Sequence, residues 1–150
     1  MQEMTPKRRY NEIIELLQSG SVIEAEKLCR QAVDDHGDVN FIALLGTILA
    51  RRDDLETAES HLRRAVQIAP AYPKANEELG SVLLNRGKPE EAIPFLRKAT
   101  ELSPSSAECF FKLGGALKLA GDNDGASAAF AESQRLSPSK AKLEDASRLF

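Results

Sequence analysis

The chain has 150 residues, 42% of them apolar and 29% charged, with a formal net charge of −3. This allows one ordinary domain with a substantial core and a soluble surface. It excludes both the basic excess of a nucleic-acid binder and the strong acidity of a disordered tail. Cys29 and Cys109 form neither a disulfide framework nor a CxxC pair, so a reducing compartment is the simpler reading.

The N-terminal stretch MQEMTPKRRYNEIIELL is charged and has no apolar h-region, so it does not read as a secretory signal. No run approaches the roughly 18 apolar residues that a membrane span needs. A cytoplasmic location without membrane association is therefore expected.

Residues 6–38 read as a first pair of helices. Ser21 and Glu24 have the spacing of a capping box, and Ala25, Cys29 and Ala32 share one face behind them. His36-Gly37 marks the end of the pair, where an imidazolium would meet the helix dipole favourably. Residues 39–72 form a second pair, with Gly46, Ala58, Leu62 and Ala65 along it and Pro70 near its end.

Residues 73–106 show the plan most clearly. The first helix is expected from Pro73, well placed at a first helical position, to about Arg86, with Gly87 as its C′ residue. The second is expected from near Pro89 to about Leu102, stopped by Ser103-Pro104. Pro94 falls inside it and removes one hydrogen bond, so a loosened first turn is expected rather than a break. Residues 107–140 follow with Gly114, Ala126, Phe130, Ser133 and Pro138, and Ser105 with Glu108 suggests a capping box at the start. In residues 141–150, AKLEDASRLF, Leu143, Ala146, Leu149 and Phe150 lie on a helical stripe. This reads as a capping helix or the opening of a further unit, and its apolar end suggests self-association or a longer natural protein.

These units share a period. Pro70, Pro104 and Pro138 are 34 residues apart, as are Gly46, Gly80 and Gly114. Ala58, Ala92 and Ala126 keep the same step, as do Leu62, Leu96 and Phe130, and Ala65, Ala99 and Ser133. Five columns at one spacing mark a repeat array. The first unit is one residue short and lacks the proline, as a solvent-facing end unit can be. The glycines would together cost about 3 kcal/mol of helix propensity if they had no packing role. They are therefore expected to let paired helices approach closely.

The pattern L-G-x-x-L, then A-x-x-x-L/F, then P, at a period of 34, resembles the tetratricopeptide repeat over residues 39–140, and more loosely over 6–38. Two columns depart from the family. The usual aromatic near each unit's start is Ile42, Asn76 and Phe110, and the usual tyrosine after Leu-Gly is Leu49, Leu83 and Leu117. The resemblance implies an all-α fold, a right-handed α-solenoid of antiparallel helix pairs, with about four repeats and a C-terminal helix. It further implies a concave groove, lined by the first helices, that binds extended peptides or partner helices.

Carried over residue by residue, the groove positions are Lys7, Tyr10, Ile14 and Leu17, then Asn40, Ala43, Thr47, Ala50 and Arg51. They continue with Lys74, Glu77, Ser81, Leu84 and Asn85, then Glu108, Phe111, Gly115 and Lys118. Small residues at the centre leave room for a ligand backbone. Tyr10, Leu84 and Phe111 are the expected apolar anchors, and Arg51, Lys74 and Lys118 the orienting charges. One subclass of the family clamps a C-terminal carboxylate with Lys and Asn from successive units. Here those positions hold Tyr10, Ile14, Leu44, Lys74 and Glu78. Only Lys74 matches, so a co-chaperone of that kind is not expected.

No constellation of acid, base and nucleophile emerges. His36 and His61 lack ligands at metal spacing. If Gly125 took the glycine position of a calcium loop, both end positions would be alanine, so Asp122 or Asn123 reads as a helix N-cap instead. Gly114-Gly115 lies inside a helix and not after a strand, unlike a phosphate loop. Cys29 and Cys109 have no nearby base. Arg51-Arg52 and Glu90-Glu91 read as solvated charges. No metal and no cofactor is expected, and a non-catalytic module binding a protein or peptide in its groove is the leading reading. The alternative is an N-terminal regulatory or oligomerisation region of a larger enzyme, sulfotransferase-like ones among them. RNA recognition ranks last because the surface is acidic.

Overall fold

A computed structural model of the chain describes residues 4–137. They form eight α-helices and no strands: α1 (Pro6–Gln18), α2 (Val22–His36), α3 (Val39–Arg51), α4 (Leu55–Ile68), α5 (Pro73–Asn85), α6 (Pro89–Leu102), α7 (Ala107–Leu119) and α8 (Asn123–Leu136). The expected C-terminal stripe of Leu143, Ala146, Leu149 and Phe150 lies outside the described residues.

Each helix packs on the next in sequence, which makes four hairpins stacked in a row. In addition α3 touches α5 and α5 touches α7, so these three odd-numbered helices form a continuous inner layer. The result is an all-α solenoid. Each hairpin alone would leave its apolar face exposed, and stacking buries it in one contiguous core. That core includes Ile13, Phe41, Leu45, Ile48, Leu62, Leu79, Leu83 and Leu96.

The turn inside each hairpin repeats one geometry. Gly20, Asp53, Gly87 and Gly121 all have positive φ, between 58° and 90° with Gly37 included. After α5, the Gly87 N–H donates to the Leu84 carbonyl at 3.0 Å and the Lys88 N–H to the Leu83 carbonyl at 2.8 Å. Glycine suits such a left-handed position, and aspartate is among the few other residues that accept it.

Between hairpins, Ala69 and Ser103 leave the helical region before their prolines, with φ of −133° and −131°. Buried Asn76 stabilises one of these turns by donating from Nδ2 to the carbonyls of Pro70 and Tyr72, at 3.0 and 2.8 Å. This explains a polar residue in a column where Ile42 and Phe110 are apolar. Ser133, in a column of alanines, donates its hydroxyl to the Ala107 carbonyl at 2.8 Å.

The capping expectations are corrected in two places. Ser106, not Ser105, caps α7, accepting from the Cys109 N–H at 3.3 Å. Ser21 does stand at the N-cap of α2 but makes no side-chain capping bond, its hydroxyl oxygen instead accepting from Ser19 Oγ at 3.4 Å. Asp122 caps α8 by accepting from the Gly125 N–H at 2.9 Å. Pro94 lies within α6 without breaking it. Its ring is exposed, so water can satisfy the carbonyl it leaves free.

Candidate peptide-binding groove

The glycine column builds the inner layer. A β-carbon on Gly80 would lie 2.4 Å from Leu96 Cγ, one on Gly46 would lie 2.6 Å from Leu62 Cγ, and one on Gly114 would lie 2.7 Å from the Phe130 ring. In the last three hairpins the second helix therefore seats one large side chain on the glycine of the first. This draws the inner helix back onto its partner and leaves its other face turned to the concave side.

A cleft of about 140 Å³ opens on that side among α1, α3 and the turn into α5. Tyr10, Ile14 and Leu17 form one wall, Ala43, Leu44, Thr47 and Arg51 the floor and far end, and Tyr72 with Lys74 the other wall. It brings together seven of the expected groove residues: Tyr10, Ile14, Leu17, Ala43, Thr47, Arg51 and Lys74. Ala43 is buried at its base and packs with Ala75 of the next hairpin. A neighbouring, wider hollow of about 430 Å³ is lined by Lys7, Tyr10, Asn40 and Phe41. Asn40 is partly engaged there, its Nδ2 donating to the Asp38 carboxylate at 2.9 Å.

Tyr72 was not expected as a lining residue. It sits in the turn before α5, off the columns of the inner helices, and no periodic signal points to it. Burial raises its phenol above the ordinary value.

The expected groove residues of α5 and α7 are arranged differently. Glu77 is buried and accepts from Lys112 Nζ at 2.9 Å, which ties α5 to α7. Lys112 also pairs with Glu108 at 3.1 Å. Lys74 pairs with Glu78 at 3.1 Å and lies 3.8 Å from Glu77. For both lysines burial opposes the charge, but these carboxylates outweigh it and hold the ammonium pKa values raised. Ser81 donates its hydroxyl to its own helix, at the Glu77 carbonyl, 3.1 Å away. Leu84 is half-buried against the core, whereas Asn85 and Lys118 are exposed. Phe111 is 62% exposed and its ring leans on Phe130 with centroids 5.6 Å apart. Gly115, one residue after the packed Gly114, faces open space. None of these seven residues from Ser81 onward lines the α1–α3–α5 cleft.

Away from the cleft lies a charge network that follows no constant column of the repeat. Glu59 on α4 accepts from Arg63 and Arg86, both at 2.9 Å, with Lys88 at 3.5 Å. Glu26 on α2 accepts from Arg30 at 3.1 Å and also pairs with Arg52. Burial would raise the Glu59 pKa, but its basic partners prevail and hold it below the ordinary range. At Glu26 the Arg52 hydrogen bond is the largest influence and the pKa is likewise lowered. The expectation that Arg52 and Glu91 are merely solvated is thereby corrected. Arg52 joins α3 to α2, and Glu91 bonds Arg63 at 3.0 Å. Arg63 also lies over the Phe95 ring, 5.8 Å from its centroid.

Other titratable groups are tied into the framework. The Cys29 thiol donates to the Phe41 carbonyl at 3.3 Å, and burial pushes its pKa up to about 12. His61 Nδ1 lies 2.9 Å from the Thr57 carbonyl, within the same helix. Among the described residues no group of three or more His, Cys, Asp or Glu is placed to hold a metal ion.

A tetratricopeptide repeat model matches residues 10–73 and 77–141, most of the chain. The chain belongs to the tetratricopeptide repeat family. Among solved structures it is similar to MamA 41-end from Desulfovibrio magneticus RS-1, with 22% identity and a TM-score of 0.80 over 89% of this chain and 76% of that one. A second MamA crystal structure matches with 22% identity and a TM-score of 0.78, covering 92% of this chain and 81% of the other. MamA AMB-1 matches with 20% identity and a TM-score of 0.76, over 89% and 80%. At these identities the likeness concerns the fold. Compared with the sequences of curated proteins, the chain finds no match. The tetratricopeptide fold is an interaction scaffold, and this solenoid has the architecture of a protein–protein interaction module.

Proposed function

We propose that the chain is a non-catalytic module that receives a segment of a partner protein on its concave face, between α1 and α5. The observation that carries this reading is the cleft itself, where three inner helices bring aliphatic and aromatic side chains around a base of Ala43 and Thr47. Helical grooves of this kind bind partner segments through side-chain anchors. A cytoplasmic setting agrees with two free, buried thiols. No helix among the described residues is long and apolar enough to cross a membrane.

The test begins with capture of partners on the immobilised protein and their identification by mass spectrometry. The purified partner is then titrated against the wild type, Thr47→Gln and Phe111→Ala, with helicity checked by circular dichroism. Thr47→Gln fills the cleft and is expected to weaken binding at least about tenfold, the weight of one lost anchor. Phe111→Ala, outside the cleft, is expected to leave it within about twofold. Full-strength binding by a folded Thr47→Gln variant contradicts the proposal.

A further inference from the structure

The two cations that line the cleft are not equivalent. Lys74 is already engaged by Glu78 and Glu77. Arg51, at the end of α3, is exposed and makes no ion pair or side-chain hydrogen bond among the described residues. It stands beside a largely apolar wall of Tyr10, Ile14, Leu17 and Leu44, none of which hydrogen-bonds its guanidinium. The only other polar side chain on the floor, Thr47, already donates to the Ala43 carbonyl at 3.2 Å. Five N–H donors next to an apolar surface form a two-part recognition element. Further along, the Lys112–Glu77 pair crosses from α5 to α7, and Lys74 and Lys112 are matched by Glu77, Glu78 and Glu108. Of the two cations that line the α1–α3–α5 cleft, Arg51 is therefore the one without a carboxylate partner.

Resting on the groove reading above, we infer that the cleft takes an acidic-apolar segment of a partner protein. A leucine- or phenylalanine-type side chain packs against Tyr10, Ile14 and Leu44, and a neighbouring aspartate or glutamate carboxylate accepts from the Arg51 guanidinium. A carboxylate matches that planar donor set in charge and shape. A basic segment would place like charge against Arg51 and is rejected.

Short immobilised peptides probed with the full chain test this. Each carries one fixed Leu or Phe, and its flanks are drawn from Asp/Glu, from Asn/Gln or from Lys/Arg. Control peptides carry Ser at the fixed position. Acid-flanked peptides are expected to be retained about tenfold better than amide-flanked ones, the weight of one charge-assisted contact at a partly exposed rim. Arg51→Gln is expected to erase that preference while keeping residual binding that depends on Leu or Phe. Thr47→Gln is expected to remove retention of every class.

Equal retention of acidic and amide flanks, a preference for basic flanks, or an acidic preference that survives Arg51→Gln overturns the inference. If Thr47→Gln still abolishes capture in those cases, the groove reading stands without it. Retention unaffected by Thr47→Gln overturns both, and so does the absence of any retained peptide.

Discussion

Leu96 occupies the space that a β-carbon on Gly80 would need, its Cγ only 2.4 Å from that position, and both residues are fully buried. The pair has counterparts one period away on each side, Leu62 on Gly46 and Phe130 on Gly114. The close approach accounts for glycine in the middle of three helices, since the lost propensity is offset by packing of the paired helices.

Substitution to alanine should therefore have opposite effects at adjacent positions. Gly80→Ala forces Leu96 or the backbone to move and is expected to destabilise by about 1–3 kcal/mol. Gly115→Ala meets nothing within 4 Å and is expected to stabilise by up to about 1 kcal/mol through helix propensity. Gly114→Ala should fall between Gly80→Ala and neutrality, because the Phe130 ring is only half-buried and can yield. Urea midpoints followed by circular dichroism rank the three.

Glu59 and Glu26 predict a particular acid response. Their pKa values are lowered in the folded state, so the stability they contribute is present above the ordinary glutamate value of 4.5. It is lost as the pH falls through their folded values. Glu59→Gln should cost roughly 1–3 kcal/mol at neutral pH, and the difference from wild type should shrink as the pH is taken below 4.5. A difference that stays constant with pH would assign the cost to packing instead.

Cys29 should be inert in the folded protein. Its buried thiol, with a pKa of about 12, presents almost no thiolate at pH 8. A thiol reagent is expected to modify Cys29 only as urea unfolds the chain, with the same midpoint as the loss of helicity. Fast labelling of Cys29 under native conditions would show that the α2–α3 contact opens readily.

How much of this was legible beforehand depended on whether a feature repeats. Gly46, Gly80 and Gly114 form one column and their partners Leu62, Leu96 and Phe130 another, so the period exposed both, and the α5 and α6 boundaries followed from Pro73, Gly87, Pro89 and Pro104. The Glu59–Arg86 contact was hidden because its two columns hold Glu26 and Arg52 at one junction but Ile93 and Ala120 at another. An ionic link replaced by apolar residues leaves no constant column. Tyr72 was missed because it belongs to a turn. Lys74, Glu77 and Glu108 were placed in the groove from position alone, and position does not reveal that Glu78 and Lys112 pair with them.

The most direct test is photo-crosslinking from two faces of the intact chain. A benzoylphenylalanine in place of Tyr10 reports on the cleft, and the same group in place of exposed Ile23 on α2 reports on the outer layer. Crosslinking of the bound partner from position 10 and not from position 23 is the result expected of a concave-face interaction module. Crosslinking from position 23 alone would contradict it.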